Sequence, residues 1–542
     1  MIDASAAKPE EFPEASGNFS LLEIRTLIVA GVRKRLCVFA ALIVSATVAH
    51  AQILEEAQIL EEIVVTAQKR EQNLQDVGVS VSAFSGADLA AMGAQSQENL
   101  ALQTPNLSYL NNGPAPFYRI RGDGVNVFTD TAETPAGFYI DEIYYGTQAL
   151  QRLQIYDVER AEVLRGPQGI LFGRNTTAGL VHFVTRKPTD EFEAYLEAEG
   201  GSFTHRIVEG AINGPLSEAI RARLSFKYNG DDGWQDNDAA VGGDDFAVTD
   251  VKTVRGQLEF DLSQSASLLL KAGYYDESSS NQMYGYQGAL DPVTFAPCSD
   301  ARIVANECVN IAGFPTGDPD PEHGFTERPD LPIDLELTEV MAKLNWQLTD
   351  AIELVSITAY LDYDRRFDEE FDATPVGGFF GNFTPSYSVD GDQFTEEIRL
   401  HGSYADRLTW LAGFYYYNDD KVSTSTILEA PLIFGIPAPL GSLIDTEAKV
   451  DTTSWAVFGH GEFALSDAVT VLGGVRYTED DKDLDVTLLL GPGGSFSTED
   501  SEVTWKAGLN WLPADDVLLY ASVQTGFKSA DFNTTLLFGD AS

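Results

Sequence analysis

At 542 residues the chain exceeds one ordinary domain, so it holds at least two folding units or one large barrel. Its 35 basic residues stand against 83 acidic ones, a formal charge of −48 that argues against a polyanion such as DNA or RNA as partner. With 44% hydrophobic and 11% aromatic residues it is too apolar for a disordered acidic chain, which leaves a membrane protein or an acidic soluble one.

In chain order, Arg33, Lys34 and Arg35 precede an apolar run from Leu36 to Ala49, which ends in Ala49-His50-Ala51. That is the pattern of a secretory signal peptide with cleavage after Ala51, and the run is shorter than the ~20 residues of a spanning helix. The polar, acidic stretch ahead of Arg33 reads as a start placed too far upstream. No later stretch reaches about 18 apolar residues, so after export a helical membrane protein is excluded and the product is periplasmic, secreted or a barrel. The motif AQILEE then occurs twice between Ala51 and Glu62. It leads into Glu62, Ile63, Val64, Val65 and Thr66, a short β-prone run near a free terminus that suits strand addition to a partner's sheet, or else the first strand of the next domain. From Asn73 to Pro188, helix-like stretches at Gly86–Gly93 and Gln95–Gln103 alternate with short strands between Gly and Pro, as in a compact α+β domain.

After Pro188 the texture is all-β. Ile220, Ala222, Leu224, Phe226 and Tyr228 alternate with Arg221, Arg223, Ser225, Lys227 and Asn229, and similar runs recur through Val517–Val523. Period two alone does not separate a soluble sandwich from a membrane barrel. Strands of roughly ten residues, aromatic clusters such as Phe414 to Tyr417, and very short connections alternating with long acidic ones all favour the barrel. In the long stretch from Asp291 to Pro332, rich in Pro, Asp and Gly, Cys298 and Cys308 suit a disulfide in an exposed loop, with free thiols as the alternative. The six histidines form no pair at metal-ligand spacing and accompany no nucleophile motif, so neither a metal site nor an enzyme is expected.

DVERAEVLRGPQGILFGRNTTAGLVHFVTRKP, from Asp157 to Pro188, resembles the plug domain of TonB-dependent outer-membrane receptors. RIRG at Arg119–Gly122, GFYIDEIYYG at Gly137–Gly146, FTEEIRL at Phe394–Leu400 and LYASVQTGFKSADFN at Leu519–Asn533 extend the likeness over nearly the whole mature chain. The rival reading of the glycine-rich run, a phosphate-cradling loop, lacks the Lys-Ser/Thr ending and the following helix. The resemblance implies an antiparallel membrane β-barrel with an α+β plug in its lumen, organised as residues 1–51 (leader), 52–72 (periplasmic arm with the TonB box), 73–188 (plug) and 189–542 (barrel). It implies uptake of a scarce ligand across the outer membrane of a Gram-negative bacterium, with no cofactor and no nucleic acid. The partners would be TonB with its inner-membrane energising complex, outer-membrane lipid and an extracellular ligand. A ferric siderophore is the first choice of ligand, ahead of haem, cobalamin, oligosaccharides or an aromatic compound. Glu62 to Thr66 would be the TonB box, Arg121 and Arg165 of the plug would lock onto Glu397 of the barrel, and Phe117 and Tyr118 would form an apex toward the ligand. The alternation yields about 13 or 14 strands where the resemblance implies about 22, so the expectation is a barrel cut short, from a broken gene model or a non-functional remnant.

Overall fold

A strand that is apolar at every second position turns one face to an apolar medium, and in this molecule that medium is not a protein core. On the strand Ile220–Gly230, Leu224 and Phe226 are 49% and 40% exposed, while Arg223, Ser225 and Lys227, which alternate with them, are buried. Val340, Tyr360, Ile398, Phe414, Val457, Val475 and Trp505 are likewise exposed, and Arg255, Lys271, Gln393, Glu397, Arg399 and Arg476 buried. A water-soluble sandwich shows the reverse, so the alternation resolves to a wall whose outside is apolar and whose inside is charged.

The computed structural model describes residues 64–534 apart from 95, 112, 114, 126–129, 240–242, 244, 286, 311–312, 316–321, 327, 372–383, 429–441, 489–492, 515–516 and 533. The expected signal peptide, the duplicated AQILEE arm, Glu62 and Ile63 lie outside the described residues. Residues 63–542 form one compact unit.

The inner part begins with β1 (Val64–Val65), paired antiparallel with β2 (Gln72–Asn73). There follow β3 (Val81–Ser85), α1 (Gly86–Ala91), α2 (Gln97–Gln103), β4 (Leu107–Leu110), β5 (Phe117–Ile120), β6 (Ala136–Ile140), β7 (Ile143–Tyr144), β8 (Val158–Arg165) and β9 (Gly179–Thr185). Both helices lie within the stretches expected from sequence. Ser85 starts α1 with a reciprocal capping box to Asp88, which satisfies donors that the helix end leaves open. A five-stranded sheet runs in the order β3-β8-β9-β6-β7, with β6 and β9 parallel. Phe138, Leu150, Ala161, Val163 and Val181 pack its core.

The wall comprises β10 (Glu193–Gly200), β11 (Arg206–Ser217), β12 (Ile220–Gly230), then, past the short β13 (Gln235–Asn237) and β14 (Asp245–Phe246), β15 (Asp250–Ser263) and β16 (Ala266–Ser280). After α3 (Asp300–Val304) and β17 (His323–Gly324) it continues with β18 (Pro332–Thr349), β19 (Ile352–Asp368), β20 (Thr384–Tyr404), β21 (Leu408–Leu428), β22 (Ser442–Ser466), β23 (Val469–Leu488), β24 (Gly494–Ala514) and β25 (Val517–Gln524). β13, β14 and β17 form a separate small sheet; the other strands make one 13-stranded antiparallel sheet in chain order from β10 to β25, in line with the count from alternation. Turns at one end are short, as at residues 350–351 between β18 and β19, and connections at the other are long. In one of these long loops Cys298 and Cys308 are joined, with sulfurs 2.09 Å apart. Among the described residues no helix is long and apolar enough to cross a membrane.

The strands are longer than expected, up to 25 residues in β22, because pairing continues beyond the apolar zone. Toward the long-loop end the outer face turns acidic. Asp362, Asp392, Asp420, Asp451 and Asp483 stand directly opposite one another across β19 to β23.

Candidate functional site

The run from Val64 to Arg70 is too short to hold itself in place, so its contacts define it. Val65 is buried and Val64 is 38% exposed. The Thr66 N–H and hydroxyl both donate to Glu162 Oε1 of β8, at 2.8 and 3.0 Å. Burial raises the Glu162 carboxyl, but His182 and Arg160 outweigh it and hold the group below its ordinary value. A tight turn then returns the chain: the Lys69 N–H donates to the Thr66 carbonyl and Lys69 adopts φ 59°, a conformation that side chains other than Gly rarely take.

That turn drives the Lys69 ammonium against the wall. It donates to Glu397 Oε2 of β20 at 3.2 Å, lies 3.7 Å from Glu142 Oε2 of the plug, and sits 4.8 Å from the centre of the Phe172 ring. Arg399 of β20 joins both carboxylates at 2.6 Å, and Lys343 of β18 reaches Glu142 Oε1 at 2.7 Å. Burial raises the Glu142 carboxyl, yet Arg399, Lys343 and Lys69 together draw it well below its ordinary value. Lys69 is lowered by burial in spite of Glu397 and Glu142. Next in sequence, Arg70 donates to Glu462 of β22 at 2.5 Å. A polar cavity of about 350 Å³ lies beside this segment, between plug and wall, lined among others by Thr66, Lys69, Glu142, Arg160, Lys343 and Arg399.

The plug proper holds the wall elsewhere. Asp157 takes both Arg223 of β12 and Arg255 of β15, Asp141 takes Lys271 of β16 at 2.9 Å, and Arg152 reaches Glu277 at 2.9 Å. Arg174 bridges plug Glu133 at 2.7 Å and wall Asp480 at 3.0 Å. Gly173 allows close approach here: a Cβ on it would meet the Arg476 guanidinium at 2.6 Å, and its φ of +87° already favours glycine.

Several residues singled out from sequence are placed otherwise. Glu397 is at the plug–wall contact, but its cations are Lys69 and Arg399, not Arg121 or Arg165. Arg165 spends its guanidinium on Ser80 Oγ and the Pro105 carbonyl, both at 3.2 Å and both within the plug, and Arg121 lies exposed in a turn with φ 55°. The expected apex does not form either: Phe117 and Tyr118 are buried, and Tyr118 Oη donates to Gln97 while its ring packs against Tyr109 and Phe138. Lys69 and Arg70 were legible only as two cations shortly after the β-prone run, past Ala67 and Gln68. Glu162 lay unremarked in the plug motif.

A plug filling a β-wall that is apolar outside and charged inside, with a short N-terminal strand held at its short-turn end, defines a plugged membrane-barrel receptor. Residues 73–180 match the TonB-dependent Receptor Plug Domain and residues 272–540 match the TonB dependent receptor-like β-barrel. The chain belongs to the TonB-dependent receptor family, whose members are transporters and not enzymes. It is 21% identical to the pesticin receptor of Yersinia pestis over 504 residues, which cover 90% of this chain and 66% of the relative. It is 22% identical to the vitamin B12 transporter BtuB of Photobacterium profundum over 375 residues, 67% of this chain and 60% of the relative. Among solved structures it resembles the ferric yersiniabactin uptake receptor FyuA from Yersinia pestis, with a TM-score of 0.68 at 19% identity over 85% of this chain and 66% of that one. It also resembles the ferric-catecholate import receptor Fiu from E. coli, with a TM-score of 0.61 at 13% identity over 84% and 71%. At such identity these structural likenesses show the fold. The chain thus spans about two thirds of the length of these relatives.

Proposed function

We propose that the chain is the plug and wall of an outer-membrane receptor of a Gram-negative bacterium, and that it takes up a ferric siderophore by force transmitted through TonB. The observation that carries this reading is the Val64–Arg70 segment, which is short, begins in a strand and is fastened to plug and wall through Glu162, Glu397 and Glu462. In this reading residues 52–72 are the periplasmic arm, 73–188 the plug and 189–542 the wall in outer-membrane lipid. Glu62 to Thr66 form the TonB box, pairing edge-on with TonB, whose energy comes from its inner-membrane complex. Tension on that strand strips Thr66 from Glu162, then Lys69 from Glu397, then Arg70 from Glu462, and so opens the adjoining cavity toward the periplasm. The lock is therefore made by Lys69 and Arg70, with Arg399 as the fixed cation that keeps Glu142 and Glu397 compensated.

The siderophore assignment draws on relatives described as ferric yersiniabactin and ferric-catecholate receptors. A second reading, cobalamin uptake, is favoured by the likeness to the vitamin B12 transporter. A deletion strain grown on a panel of ferric siderophores, on cobalamin and on single carbon sources tests the assignment. Loss of growth on one ferric chelate under iron limitation is expected. Unimpaired growth on every chelate, with failure on cobalamin or one carbon source, removes the iron reading.

A further inference from the structure

The outer side of the wall is not smooth. An apolar groove of about 920 Å³ crosses it from β11 to β19. Its floor lies where Ala222 of β12, Gly256 of β15, Ala272 of β16 and Ala342 of β18 carry little or no side chain, and the exposed Leu224, Leu258, Leu270 and Val340 rise beside them. A Cβ built on Gly256 meets nothing within 4 Å, so the floor is open there. At the usual strand spacing of about 4.8 Å, the run from β11 to β19 makes the groove roughly 24 Å long, a shape for an extended chain.

One end of the groove is polar. Thr358 of β19 lines it and donates its hydroxyl to Glu396 Oε2 on the neighbouring β20, while Ser356 donates to Oε1 at 2.8 Å. Glu396 alternates with the buried Thr395 and Glu397, so it faces out of the wall. It stands opposite Tyr416, and Tyr416 opposite Trp455, in the aromatic rank that marks the edge of the apolar zone. Among the described residues no cation pairs with it.

A carboxylate at the margin of lipid, with two hydroxyls to share its charge, costs free energy, and a cationic N–H donor offsets that cost best. The surrounding charge selects the same sign: Asp362, Asp392 and Asp420 lie on the outer face just beyond Glu396, so an anionic head is repelled and an amine drawn in. We propose that the groove is a lipid site, which takes one acyl chain while Glu396, held by Ser356 and Thr358, takes the primary ammonium of the same lipid's head. The occupant is an amine-headed lipid bound one per chain, distinct from the bulk lipid around the wall. The lumen plays no part in it, so the inference stands whether or not the cargo is a ferric chelate.

The test is native mass spectrometry of the full purified chain in detergent micelles, titrated with phosphatidylethanolamine, phosphatidylcholine or phosphatidylglycerol of identical acyl chains. Their heads carry a primary ammonium, a quaternary ammonium without an N–H, and no cation. One ethanolamine lipid per chain is expected, held tenfold or more tighter than either of the others. Glu396→Gln is expected to bring it down to the level of the choline lipid. Gly256→Leu, whose side chain enters the open floor, is expected to weaken all three tenfold or more; should it not fold, Ala342→Leu on the same floor takes its place. Equal retention of the three lipids by the unaltered chain marks ordinary surrounding lipid and overturns the site, as does an ethanolamine preference that survives Glu396→Gln. Undiminished binding by the floor variant overturns it too. So does a lipid-free dimer that the floor variant dissociates, which gives the groove to a second copy of the chain.

Discussion

Along β12, β15, β16 and β18 the wall offers cations to acids of the plug, Arg223 and Arg255 to Asp157, Lys271 to Asp141 and Lys343 to Glu142. On β20 and β22 wall acids receive cations in turn: Glu397 and Glu462 take Lys69 and Arg70 of the N-terminal segment, beside Arg399 of β20, which reaches plug Glu142. The N-terminal segment thus holds the wall through cations of its own, whereas the plug holds it in both senses, because Arg152 and Arg174 also reach Glu277 and Asp480 of the wall. The segment's pairs therefore separate as a set, and the plug's acids keep wall cations of their own when Lys69 and Arg70 leave. Only Glu142 belongs to both groups, and Arg399 and Lys343 still compensate it after Lys69 departs.

The largest effect is expected where the separation is attacked from the plug side. Asp157→Asn leaves Arg223 and Arg255 buried without their shared carboxylate and should destabilise plug docking by about 3 kcal/mol. A spin label at Val64 should stay as immobile as before, and a label that becomes mobile would break the distinction between the two holds. Lys69→Met should cost somewhat less, about 2 kcal/mol, because Glu397 keeps Arg399. Here the Val64 label should become mobile, with plug docking, read by protease resistance, unchanged. Smaller again is a pH effect at Glu162. Its folded pKa lies below the unfolded value, so its contribution is fully present above about pH 4.5 and is lost as the pH falls through the folded value. The Val64 label should hold constant from neutral pH to about pH 5 and loosen only in stronger acid; loosening near neutrality would assign the hold to another group. Smallest is Asp420→Asn, which relieves like charges facing it from Asp392 and Asp451. It should stabilise the wall by about 0.5 kcal/mol in thermal melts without moving either hold.

The wall was legible in sequence because period two survives any environment, and the plug because its motif is long. The alternation alone did not say which face pointed outward, since Leu224 and Arg223 alternate identically in a sandwich and in lipid; strand length, aromatic clusters and the uneven connections did. The long-loop extensions escaped notice because the apolar signal stops at residues such as Tyr360 and Phe394 while backbone pairing goes on through Asp362 and Asp392. At the site, Glu397 was found but its partner was not. Motif arginines attract attention, whereas the Lys69 contact depends on a left-handed turn that Thr66–Lys69 does not advertise. Phe117 and Tyr118 illustrate the opposite error, in which aromatic rings beside a proline serve the plug core.

The row of aspartates facing outward from β19 to β23 gives the molecule two responses to ionic strength. Adjacent strands lie about 4.8 Å apart, well within the screening length of about 8 Å at physiological salt. Added salt therefore relaxes the repulsion along that row and firms the upper wall. The lumenal ion pairs, shut away from mobile ions, scarcely notice the same change, so the rim and the interior of this receptor are tuned to different solutions.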